Sequence, residues 1–73
     1  MEFEHVSEEE LTREQAAQRL RQLADELARH NEVAFVREGV RYTVKVPSAV
    51  SFSLEVEVGD DESEIEVEIR WRP

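Results

Sequence analysis

Apolar and polar residues alternate along Val50-Ser51-Phe52-Ser53-Leu54-Glu55-Val56-Glu57-Val58 and again along Glu64-Ile65-Glu66-Val67-Glu68-Ile69-Arg70-Trp71. Successive side chains of a strand point to opposite faces, so each run predicts a strand with one apolar and one acidic face. Upstream the period changes. Ala16, Leu20, Leu23, Ala24 and Leu27 fall in one stripe at helical spacing, which predicts an amphipathic helix over about residues 13–30. Thr12 and Gln15 fit a capping box at its start, with Leu11 placed to staple onto Ala16. Ser7 with Glu10 is a competing cap one turn earlier, but the apolar periodicity begins only after Thr12. His30 and Asn31 suit the helix end, by the helix dipole and by tolerance of left-handed backbone respectively.

Glu38-Gly39 predicts a tight hairpin between residues 33–37 and 40–46, pairing Val33 with Val44 and Phe35 with Tyr42. Pro47-Ser48-Ala49 reads as a further reversal, setting Val44 opposite Phe52, Tyr42 opposite Leu54 and Arg41 across from Glu55. Gly59-Asp60-Asp61-Glu62, centred on Asp60-Asp61, then pairs Val56 with Ile65, Leu54 with Val67, Phe52 with Ile69 and Val50 with Trp71. Apart from Ala34 and Val36, these registers hold the apolar strand residues on one face, and a one-residue slip would invert it. Glu2–Val6 reads as a short first strand with Phe3 on the core side. The expected fold class is α+β: a short N-terminal strand, one helix, and a four-stranded antiparallel meander with the helix packed on its apolar face. Residues 1–73 are read as a single domain.

That meander has a covering problem. One helix is about 10 Å wide with its side chains, whereas four strands span nearly twice that. The uncovered remainder is an apolar patch of a kind soluble monomers seldom carry. Two arrangements resolve it: a two-fold dimer that buries the excess, or a strongly twisted sheet wrapped round the helix with Phe3 and Leu11 filling the margin. Trp71 is read either as a core residue sealing the sheet end opposite Val50 or as an interface anchor. The candidate interface residues are Trp71, Ile69, Val50 and Phe52.

Composition narrows the chemistry. The 18 acidic residues are 15 Glu and 3 Asp, against 8 Arg and the single lysine Lys45, for a net charge of −9. This balance repels nucleic-acid phosphates and anionic membranes, and it fits a halophilic protein of a salt-rich cytoplasm. The expected partners are thus a second copy of the chain (a homo-oligomer) or an unidentified protein, with no nucleic acid and no membrane. There is no cysteine for a disulfide or thiolate metal site. The acidic N-terminus lacks a signal-peptide pattern and no run approaches membrane-spanning length, so a cytoplasmic location is expected.

Glu57 opposite Glu64 and Glu55 opposite Glu66 would form a like-charge ladder, destabilising unless neutralised. Carboxylates on an open sheet do not converge on a cation, and Gly59–Glu64 has no EF-hand spacing, so no metal ligands are assigned. Nor is there a cleft of the kind paired glycosidase carboxylates need. His5 and His30 sit in no nucleophile or metal-ligand spacing, and Gly39 and Gly59 belong to no phosphate-cradling loop. No catalytic residue and no cofactor is assigned, and the chain is read as not an enzyme.

Phe3-Glu4, the segment Leu11-Thr12-Arg13-Glu14-Gln15-Ala16-Ala17 with Leu20, Leu23 and Leu27, and the closing Ile65–Trp71 together resemble the amphi-Trp domain family. The resemblance spans nearly the whole chain. The family, frequent among haloarchaea and present in bacteria, agrees with the acidic composition. It implies no activity and transfers no functional residue beyond the defining tryptophan, Trp71. The leading reading is a non-enzymatic interaction or assembly module that self-associates through its apolar sheet face. The alternatives are a cation-binding or salt-responsive acidic protein, acting through Glu55, Glu57, Glu64 and Glu66, and an acidic nucleic-acid mimic.

Overall fold

The structure, a computed structural model, describes residues 3–73. One helix, α1 (Arg13–His30), precedes four strands: β1 (Glu32–Arg37), β2 (Val40–Lys45), β3 (Ser51–Val58) and β4 (Ser63–Arg70). The helix begins where the sequence places it. The Thr12 hydroxyl accepts from the Gln15 N–H at 3.1 Å, and the Gln15 side chain accepts from the Thr12 N–H at 2.9 Å. Two of the orphan donors at the helix start are thereby satisfied. At the other end Asn31 turns left-handed, at φ 55°, and β1 starts at the next residue.

The helix is covered only in part. The helix packs on β1 and on no other strand. Leu23, Glu26 and Leu27 in its second half are half-buried, as is Ala17. The expected core stripe is only partly used: Ala16, Leu20 and Ala24 stay exposed, Leu20 at 55%.

The strands form two separate two-stranded antiparallel sheets, β1–β2 and β3–β4, and not one four-stranded meander. Within each hairpin the expected registers hold. Val33 faces Val44 and Phe35 faces Tyr42; Phe52 faces Ile69, Leu54 faces Val67 and Val56 faces Ile65. The pairings across β2 and β3 (Val44 with Phe52, Tyr42 with Leu54, Arg41 with Glu55) are absent. Val50 and Trp71 flank the last ladder pair, Ser51 with Arg70, outside the strands.

Hydrogen-bond parity explains the break. Val46 N–H donates to the Asn31 carbonyl at 2.8 Å, so even-numbered residues of β2 bond to β1 and the odd ones, Arg41, Thr43 and Lys45, point their backbone groups to the free edge. Gly59 N–H donates to the Glu62 carbonyl at 3.0 Å, so odd-numbered residues of β3 bond to β4 and the even ones, Phe52, Leu54, Val56 and Val58, face the free edge. Joining these edges would set odd residues of β2 opposite even residues of β3. Directly opposed residues share a face, so the apolar faces of the two hairpins would point to opposite sides. Pro47, next on the β2 edge, also lacks a donor. A flat meander with one apolar face is therefore incompatible with these two turns.

The expected first strand is also absent among residues 3–6, while Glu2 lies outside the described residues. Phe3 does reach the core side, but from above the sheet. Its ring lies 5.7 Å from Phe35 and 5.6 Å from Tyr42, on two adjacent strands. A strand beside β1 would lie about 4.8 Å from one and twice that from the other. His5 stacks on Phe35 at 4.5 Å, and the Arg37 guanidinium lies 4.8 Å over the Phe3 ring while donating to the Glu4 carbonyl at 3.2 Å. Side-chain stacking holds this segment in place of a ladder.

No Cα atom of β3 or β4 comes within 8 Å of one in the helix or the first hairpin. None of the described side chains is fully buried. The accessible surface is 7203 Å², about 2,500 Å² more than a compact monomer of this mass exposes. The radius of gyration, 14.1 Å, likewise exceeds the roughly 11 Å of a compact chain of this length.

Candidate interaction surface

The unpartnered surface is the apolar face of β3–β4. Phe52, Leu54, Val56, Ile65 and Val67 line it, with Phe52 at 65% and Ile65 at 73% exposed. Alternation puts them all on one side, and the Asp60-Asp61 turn keeps the two strands in that register. The hairpin's local geometry is complete without any neighbour. Its apolar face is not.

Three of the four candidate interface residues come together. Val50, Ile69 and Trp71 line one open groove with Pro47, Ser51, Arg70 and Arg72. Phe52 lies outside that groove but pairs cross-strand with Ile69, which is half-buried. Trp71 follows directly on β4 and is 37% exposed; it also borders a smaller groove with Phe3, Glu4 and Pro73. It is thus the residue between the end of the bare hairpin and the aromatic segment over the first one. The sequence reading left out Arg70 and Arg72. Their alternation with Ile69 and Trp71 was the available signal: two cations at the one end of an otherwise acidic strand.

The opposite face is the ladder expected from sequence. Glu57 faces Glu64, Glu55 faces Glu66 and Ser53 faces Glu68. Arg70 Nε lies 2.9 Å from Glu68 Oε1, an ion pair along one strand. Arg41, which was to have lain beside Glu55, is on the other hairpin, because the β2–β3 pairing does not form. Glu66 is left among carboxylates. Its pKa lies above the ordinary glutamate value, raised first by Glu64, then by Glu55, with smaller contributions from desolvation, Glu68 and Glu57. Among the described residues no three carboxylate or imidazole groups converge as a metal's ligands would. No helix among them is long and apolar enough to cross a membrane.

The architecture is an amphipathic strand ending in tryptophan, preceded by a capped helix. The Amphi-Trp domain model matches residues 1–73. The chain belongs to the Amphi-Trp domain family. Neither a curated protein nor a solved structure matches it. Membership assigns neither a reaction nor a ligand.

Proposed function

We propose that this Amphi-Trp domain is a non-enzymatic assembly module that self-associates through the apolar face of β3–β4. The observation that carries the reading is the surface excess of about 2,500 Å² over a compact monomer. Burying that excess on each of two chains would give an interface in the obligate homodimer range of about 2,000–5,000 Å² or more. Apolar surface at about 25 cal/mol per Å² is the principal driving force for such association. The acidic faces stay in water, where they oppose aggregation of the bare strands.

Solution mass tests this directly. Twice the chain mass at tens of micromolar is expected, in both low and high salt, and chain mass in both would overturn the reading. Leu54→Lys places a charge in the centre of the apolar face. It should weaken association about ten-fold or more while leaving the α1 circular-dichroism signal in place.

The carboxylate ladder supports a second reading, a salt-responsive protein. Directly opposed glutamates repel, and counterions screen that repulsion. On this reading salt strengthens assembly by diffuse screening. Calorimetric titration with Ca²⁺ or Mg²⁺ should show no saturable heat, whereas a saturable site would replace screening with specific binding.

A further inference from the structure

The parity that separates the hairpins also selects a partner for the second one. On β4 the backbone groups of Ser63, Ile65, Val67 and Ile69 face the free edge, because the even residues bond to β3. These edge residues belong to the apolar face, apart from Ser63. An edge of the same parity can pair with this one and keep the apolar sides together; the β3 and β4 edges of a second copy both qualify, but β3 carries no basic residue, so only β4 offers cations to offset the facing carboxylates. The edges of β1–β2 do not qualify.

Charge along β4 then fixes the direction. The strand starts with Glu64 and Glu66 and ends with Arg70 and Arg72. Antiparallel pairing of two β4 strands brings acidic starts against basic ends. With Glu68 on the two-fold axis, Glu66 lies opposite the partner's Arg70, and Glu64 opposite the partner's Arg72. The two Glu68 carboxylates at the axis are each already paired with Arg70 of their own chain. On the apolar side Trp71 lies opposite the partner's Ile65, one of the most exposed apolar residues.

We propose that two copies join β4 edge to β4 edge about a two-fold axis, forming a continuous four-stranded sheet with one apolar face and Trp71 packed on the partner's Ile65. The proposal rests on the self-association reading above and specifies its geometry. Dimensions agree with it. The joined sheet is about 19 Å wide and its eight-residue strands are about 26 Å long. Two helices side by side are about 20 Å wide, and each 18-residue helix is about 27 Å long. Two copies of α1, through the exposed Ala16, Leu20 and Ala24, match that face. A single copy covers half of it.

Glu68→Cys tests the geometry, because the chain contains no cysteine of its own. In this register position 68 faces itself in a non-hydrogen-bonded pair, with Cα atoms about 4.5 Å apart, close enough for a disulfide. Mild oxidation should give a covalent dimer with Glu68→Cys and none with Ser53→Cys on the β3 side. Arg70→Glu should weaken dimerisation about ten-fold, and adding Glu66→Arg should restore it, since two cross-strand pairs change sign together. A dimer by mass that cross-links through Ser53→Cys, or through neither variant, overturns the β4 edge and leaves self-association standing. Absence of charge-reversal rescue in a dimer overturns the register. Chain mass for the unmodified protein at all salt concentrations removes self-association and the edge with it.

Discussion

The two hairpins have the same local design and opposite fates. β1–β2 turns at Glu38-Gly39 and lays Phe35 and Tyr42 under Phe3, with the helix on Val33 and its neighbours. β3–β4 is longer, equally regular and more consistently alternating, yet most of its apolar side chains stay exposed. Amphipathic alternation makes a strand capable of burial. Actual burial needs a neighbour at the right distance, and the first hairpin obtains two because it follows the helix after one residue. The second hairpin is separated by a five-residue connection containing Pro47, and its edge parity mismatches the first. The difference leaves β3–β4 as the less covered of the two hairpins, the surface that the proposed self-association would use.

The sharpest way to break this comparison is to remove one aromatic from each hairpin. Phe35→Ala strips a ring stacked on His5 and Tyr42 and should cost about 2–3 kcal/mol, read by urea unfolding of the helix signal. Phe52→Ala should cost the dilute chain well under about 1 kcal/mol, and act instead on association. Equal costs in dilute solution would mean that β3–β4 is covered within its own chain after all.

The turns offer an intermediate test, since each contains one glycine for a different reason. A Cβ at Gly59 would lie 2.7 Å from the Glu62 carbonyl oxygen, so Gly59→Ala must displace the backbone bond that closes the second hairpin. Gly39 has open space around it but a φ of +77°, so Gly39→Ala carries only a backbone penalty of about 1 kcal/mol. Amide exchange should show the β3–β4 ladder loosened more by the first change than β1–β2 is by the second. The reverse order would place the turn strain in the wrong hairpin.

The smallest expected effect concerns the acidic face that only the second hairpin has. Neighbouring carboxylates raise the Glu66 pKa in the folded hairpin above its unfolded value. The folded state therefore holds that proton more tightly. The linked stabilisation is present below the unfolded pKa and lost as pH rises through the folded one. In the dilute single chain, where no partner's Arg70 faces it, Glu66→Gln should thus raise the melting temperature near neutral pH, with the gain shrinking in acid and in high salt. A gain that is the same at acid and neutral pH would show that glutamate repulsion is not its source.

Much of this was legible in the residues because it is local. The Thr12–Gln15 box, the Asn31 cap and both turn centres depend on neighbours three or four positions away, and all lie where the sequence puts them. The grouping of Val50, Ile69 and Trp71 followed from the register of one hairpin. The expectation of a meander failed on a point that side-chain alternation does not carry. Counting apolar faces places Val44 beside Phe52; counting which backbone groups each turn leaves free forbids it. The helix stripe was used only in part for a related reason, as periodicity marks Leu20 apolar without saying that the packing of α1 on β1 leaves it exposed.

By itself, the sequence determined the type of each element, its caps and the face each strand can bury, because dihedral preference and side-chain period are properties of short segments. Only the tertiary structure decided that the two sheets stay apart, that Phe3 stacks from above, and that the β3–β4 face is bare. Those outcomes depend on hydrogen-bond parity and on distances between elements far apart in the chain. A pattern of apolar residues specifies what must leave water, while the identity of the surface that covers it is a property of the assembled molecule.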